Sequence, residues 1–164
     1  MCVVVFGEQL MGQNVSALDR QQAVVLLVED DPGQAALARR VLEHAGAHIQ
    51  LVHVSDGQAA LDYLFQQGAY IDPTTSPRPH IVLLDLRLPR VDGLEVLRTV
   101  KDDPALRTIP VVVLTTSSSK ADIAQAYAHY ASSYVIKPVD FEKYTCLMQT
   151  LASYWLVWNV YPEG

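Results

Sequence analysis

The chain has 164 residues, 50% of them hydrophobic, which suits one packed domain with short additions and excludes disorder or a fibrous repeat as its main organisation. Lys and Arg total 12 against 18 Asp and Glu, a net charge of −6 with no basic run, so direct nucleic-acid binding is not expected. Cys2 and Cys146 lie far apart with no metal-ligand spacing, which argues against a disulfide framework or a zinc site and points to a reducing, cytoplasmic setting.

Residues 1–22 read as a variable N-terminal extension. Its apolar start, MCVVVF, has no basic flank and stops at Gly7-Glu8-Gln9, so no membrane segment is expected. From Ala23 short apolar runs alternate with helical patterns, the signature of a parallel sheet with crossover helices. Strands are predicted at Ala23 to Val28, Ile49 to Val54, Ile81 to Leu84, Val111 to Leu114 and Tyr134 to Ile136. Four are continuous in Val, Ile and Leu, as strands covered on both faces must be; the second, with Gln50 and His53, reads as an edge. Helices are predicted at Gln34 to Ala45, closed by Gly46, at Gln58 to Gln67, at Leu94 to Lys101 and at Ala121 to Tyr130. The segment from Ala69 to His80, with three prolines, reads as an extended loop into the third strand.

A last helix opens after Asp140, a predicted N-cap, and continues to about Asn159. Along it Tyr144, Met148, Leu151, Trp155 and Trp158 recur at spacings of four and three and form one apolar stripe. Residues 23–150 are taken as the domain, and 151–164 as a helical extension and tail that meets a second copy of the chain through this stripe. Five strands and five helices predict a doubly wound α/β fold with strand order 2-1-3-4-5, whose ligand site lies beyond the carboxyl ends of the strands.

The residues at those ends carry the chemistry. The first strand ends in Glu29, Asp30 and Asp31, the third in Asp85, the fourth in Thr115 and Thr116, and the fifth in Lys137. Acids this close repel one another unless a cation neutralises them, and a hard ion such as Mg²⁺ is suited to that role. Lys137 and Thr115 add donors for phosphoryl oxygens, with a carboxylate as nucleophile. Singly, each residue is more simply a helix cap or strand filler. Four such ends in this order favour the chemical reading.

VVLLVEDD, IVLLDLRLPRVDG, VVVLTTS and YVIKPVD, in that order, resemble the receiver domain of bacterial two-component response regulators, over residues 23–150. The resemblance implies a flavodoxin-like fold in which Asp85 accepts a phosphoryl group from a sensor histidine kinase. It further implies that Glu29, Asp30, Asp85 and the backbone carbonyl of Arg87 hold Mg²⁺, that Thr115 and Lys137 contact the phosphoryl group, and that Tyr134 switches with Thr115. The VEDDPGQA opening and the YWLVWNVYP ending are similar to the small regulators paired with bacterial and cyanobacterial phytochrome kinases, whose tail regions take part in homodimers.

Two departures stand out. Arg87 replaces the small polar residue common two positions after the acceptor, and its side chain is expected to pair with acidic neighbours or to obstruct the water that hydrolyses the phosphoaspartate. The run from His129 to Ser133 lacks the glycine often found before the last strand. The rival readings are a receiver fold that docks partners without being phosphorylated, and a phosphatase with an aspartate nucleophile, for which Asp85-Leu86-Arg87 lacks the second aspartate.

Overall fold

A computed structural model describes residues 22–44 and 49–161. Residues 1–21 of the expected N-terminal extension, Cys2 among them, and Gly46 lie outside these residues. The chain folds into a five-stranded parallel sheet of β1 (Ala23–Val28), β2 (Ile49–Val54), β3 (Ile81–Leu84), β4 (Val111–Thr115) and β5 (Ser133–Ile136). The strand order is β2-β1-β3-β4-β5, as the sequence predicts. The helices are α1 (Pro32–Glu43), α2 (Gly57–Leu64), α3 (Gly93–Asp102), α4 (Lys120–Ala128) and α5 (Phe141–Ala152).

Alternation along the strands divides the core in two. Leu26, Val28, Val82, Leu84, Val111 and Val113 pack with α2 and α3, and with Ala126 of α4; Val25, Leu27, Ile81, Leu83, Val112 and Leu114 pack with α1 and α5. Burying each such side chain contributes about 1.5–3 kcal/mol, so the sheet is a rigid platform for whatever its strand ends carry.

Helix starts follow local hydrogen-bonding chemistry. Asp31 accepts N–H bonds from Gly33 and Gln34, and Pro32 sits where its missing N–H costs nothing, so α1 begins earlier than its apolar pattern suggests. Asp140 accepts from the Lys143 N–H, as expected of an N-cap. α2 stops at Leu64, because Gln66 turns to φ 53°, and the loop that follows opens with a short 3₁₀ turn, Gly68–Tyr70. Where the sequence offers no glycine before β5, Tyr130 itself takes φ 61° and closes α4, with the Ala131 N–H donating to the Ala126 carbonyl.

The last helix corrects the predicted interface stripe. Tyr144 and Met148 are buried in this chain's own core, together with Ala152 and Leu156, so they cannot meet a second copy. The buried positions repeat every four residues, whereas the stripe read from the sequence drifted by alternating fours and threes. Leu151 and Trp155 are half-buried against the same core. From Ser153 to Trp158 the helix widens to a π turn, in which the Asn159 N–H reaches back to the Tyr154 carbonyl at 2.8 Å. Of the five predicted contacts only Trp158 stands free, 70% exposed, near exposed Tyr154, Val157 and Val160.

Candidate functional site

Sheet register brings the charged residues together. The Asp85 N–H donates to the Val28 carbonyl at 3.0 Å, the Glu29 N–H to the Val54 carbonyl at 3.1 Å and the Lys137 N–H to the Thr115 carbonyl at 2.8 Å. Four strand ends therefore deliver two acids, a hydroxyl and an ammonium to one rim.

Lys137 Nζ lies 2.5 Å from Glu29 Oε2 and 2.5 Å from Asp85 Oδ2, and all three side chains are buried. Removing a charge from water costs several kcal/mol, so the ammonium is what keeps two carboxylates inside. The two acids are not equivalent. Burial pushes Asp85 up, but the Lys137 hydrogen bond and charge, the Arg87 N–H at 3.1 Å and the Thr115 hydroxyl outweigh it and hold it below the ordinary Asp value. At Glu29 burial prevails over Lys137, and the neighbouring Asp85 charge adds to the rise. Asp85 is thus the more firmly ionised of the pair, which is the property a carboxylate nucleophile needs.

Asp30 is exposed beside them, and one carboxylate oxygen each from Glu29, Asp30 and Asp85 lie within 4.8 Å of one another. Three hard oxygen donors at this spacing, part buried and part open to water, fit a small divalent cation that retains several waters. Asp31, the third acid of the run, is occupied as the α1 cap and also donates its N–H to Glu29 Oε1 at 3.2 Å.

Thr115 is fully buried, and its Oγ1 accepts the Ser117 N–H at 3.4 Å. Half-buried Tyr134 donates its hydroxyl to the Ser117 carbonyl at 3.0 Å. Below the rim, Gly93 opens α3 against the acceptor strand, and a Cβ there would stand 2.2 Å from the Asp85 carbonyl oxygen. The sequence reading did not single out Ser117 or Asp122. Asp122 Oδ2 receives the Arg87 guanidinium at 2.7 Å and the Ser117 hydroxyl at 2.5 Å. An acidic partner for Arg87 was expected from the sequence, but nothing local pointed to one 35 residues away.

A family model of the response regulator receiver domain matches residues 25–149. The chain belongs to the response regulator receiver family. This receiver is 45% identical over 140 residues to the probable methanogenesis regulatory protein FilR2 of Methanothrix harundinacea, covering 85% of this chain and 87% of that one. It is 41% identical over 133 residues to the response regulator Rcp1 of Synechocystis, covering 81% and 88%. Among solved structures it is similar to the phosphorylated cyanobacterial phytochrome response regulator RcpA, with TM-score 0.83, 34% identity and coverage of 87% of this chain and all of that one. It is likewise similar to the Mn²⁺-bound form of Rcp1, with TM-score 0.81, 39% identity and coverage of 86% and 99%. The receiver is thus related to phytochrome response regulators, and no helix among its described residues is long and apolar enough to cross a membrane.

Proposed function

We propose that this receiver takes a phosphoryl group from a phosphohistidine of a sensor kinase, of the phytochrome type, onto Asp85 and acts in the cytoplasm as a Mg²⁺-dependent phosphorylation switch. The observation that carries the reading is the buried Asp85 carboxylate, held ionised by Lys137 at the edge of the Glu29 and Asp30 cluster. In the transfer an Asp85 oxygen attacks phosphorus. The new O–P bond forms as the P–N bond to imidazole breaks, and the leaving nitrogen takes a proton from solvent. Mg²⁺ held by Glu29, Asp30, Asp85 and the Arg87 carbonyl would neutralise charge on the phosphoryl oxygens. The Lys137 ammonium, already on Asp85 Oδ2, follows that charge onto the phosphoryl group, and the Thr115 hydroxyl donates to it. Thr115 and Tyr134, which share Ser117, then carry the change to the surface of α4, β5 and α5. Residues 23–150 form the switching unit.

The names of Rcp1 and RcpA support a phytochrome-type kinase as partner. The exposed tail face around Trp158 supports contact with a second copy, and Trp158→Glu is expected to shift the protein to monomer in sedimentation. Incubation of the full chain with a small phosphodonor and Mg²⁺ tests the main reading. One phosphoryl group should appear by intact mass, and none in Asp85→Asn. No addition, together with no Mg²⁺ binding, would favour an interaction module that works without phosphorylation.

A further inference from the structure

Two residues beyond Asp85, the Arg87 side chain ties the loop after β3 to the first turn of α4 through its ion pair with Asp122. The Asp122 oxygen it meets at 2.7 Å also accepts the Ser117 hydroxyl at 2.5 Å. Ser117 is in turn joined to Thr115 Oγ1 through its N–H and to the Tyr134 hydroxyl through its carbonyl. One carboxylate on α4 therefore gathers the acceptor loop and the loop after β4. The Arg87 side chain is 62% exposed, whereas Asp122 is covered, at 16%.

The root of that side chain is already at the acceptor, since the Arg87 N–H donates to Asp85 Oδ1 at 3.1 Å. A phosphoryl group on Asp85 would bring close to two negative charges and three strong acceptor oxygens beside a guanidinium built for such a group. We propose that Arg87 is a positioning residue with two alternative partners: Asp122 while Asp85 is unmodified, and the phosphoryl group afterwards. The exchange leaves the Asp122 carboxylate with the Ser117 hydroxyl and its backbone N–H on the Ser119 cap, so the first turn of α4 and the loop before it are released. This inference rests on the phosphoacceptor reading and supplies its regulation. An ion pair this exposed shifts an equilibrium by up to about fivefold. Because coupling between sites is reciprocal, removing the competing partner must strengthen binding of a phosphoryl mimic.

The test uses the full chain, with beryllofluoride and Mg²⁺ as the mimic. Affinity is measured by calorimetry, and amide exchange across residues 116–124 is measured without ligand. Asp122→Asn, which keeps the shape and removes the charge, is expected to tighten beryllofluoride about threefold to fivefold and to speed exchange in that segment. Arg87→Asn removes both contacts, so it should speed exchange without tightening the mimic. A merely structural pair would move both variants alike. Equal shifts in the two variants, or an Asp122→Asn affinity within about twofold of wild type, overturn the exchange of partners alone. A wild-type chain that fails to bind the mimic overturns the acceptor reading beneath it.

Discussion

At the carboxyl end of the sheet, Glu29, Asp85 and Lys137 are buried as charges against one another, whereas at the amino end half-buried His80 and Tyr161 are neutral. There His80 Nδ1 accepts the Val24 N–H at 3.0 Å and the His80 N–H donates to the Val24 carbonyl at 2.8 Å. The ring meets Tyr161 edge-on with centroids 5.5 Å apart, and the Tyr161 hydroxyl donates to the Trp155 carbonyl. Burial holds His80 below its usual pKa, which keeps Nδ1 an acceptor at neutral pH. Both ends satisfy their polar groups. The amino end does so once and stays closed, while the carboxyl end balances three charges so that adding a fourth must rearrange it.

The contrast is broken most severely at Lys137. Lys137→Ala leaves two buried carboxylates facing each other and should cost about 3–5 kcal/mol in urea unfolding at neutral pH, with added Mg²⁺ restoring more stability in the variant than in the wild type. Gly93→Ala drives a methyl into the Asp85 carbonyl and should cost about 3 kcal/mol while slowing phosphorylation from a small donor. At the amino end, His80→Leu leaves the Val24 N–H without an acceptor and should cost about 2 kcal/mol with no change in phosphorylation rate. Tyr130→Gly relieves a left-handed backbone at a bulky, exposed residue and should add about 1 kcal/mol.

The smallest effect separates the two acids by pH. Glu29 has its folded pKa raised, so its charged form opposes folding as pH rises above 4.5, and lowering the pH restores stability in that window. Asp85 is depressed, so its contribution is present above 3.8 and is lost only as pH falls through its lower folded value. Glu29→Gln should therefore be more stable than the wild type at neutral pH, with the advantage shrinking as pH falls toward 4.5, as read from urea midpoints at each pH. A pH-independent difference would show that burial does not dominate at Glu29.

Much of this was legible because strands covered on both faces must be continuous in apolar residues. β1, β2 and β3 end where their runs end, so Glu29 and Asp85 could be placed on one rim from the sequence alone. What stayed hidden depends on groups far apart along the chain or on backbone angles. Lys137 could be placed at the rim and paired with Asp85, but its second contact, with Glu29, could not be read from spacing. Asp122 has no local signal as the partner of Arg87, because only the α4 crossover brings it near. Tyr144 and Met148 were apolar at helical spacing, which marks a buried face without saying whether this chain or another covers it.

The central claim is that Asp85 alone becomes the acyl phosphate. Phosphorylating the full chain with an autophosphorylated histidine kinase and Mg²⁺, reducing the product with borohydride and mapping its peptides would test this directly, since an aspartyl phosphate is converted to homoserine. Homoserine at position 85 and at no other aspartate is the predicted result. Homoserine at Asp30 or elsewhere, or none in a sample shown to carry phosphate, would contradict it.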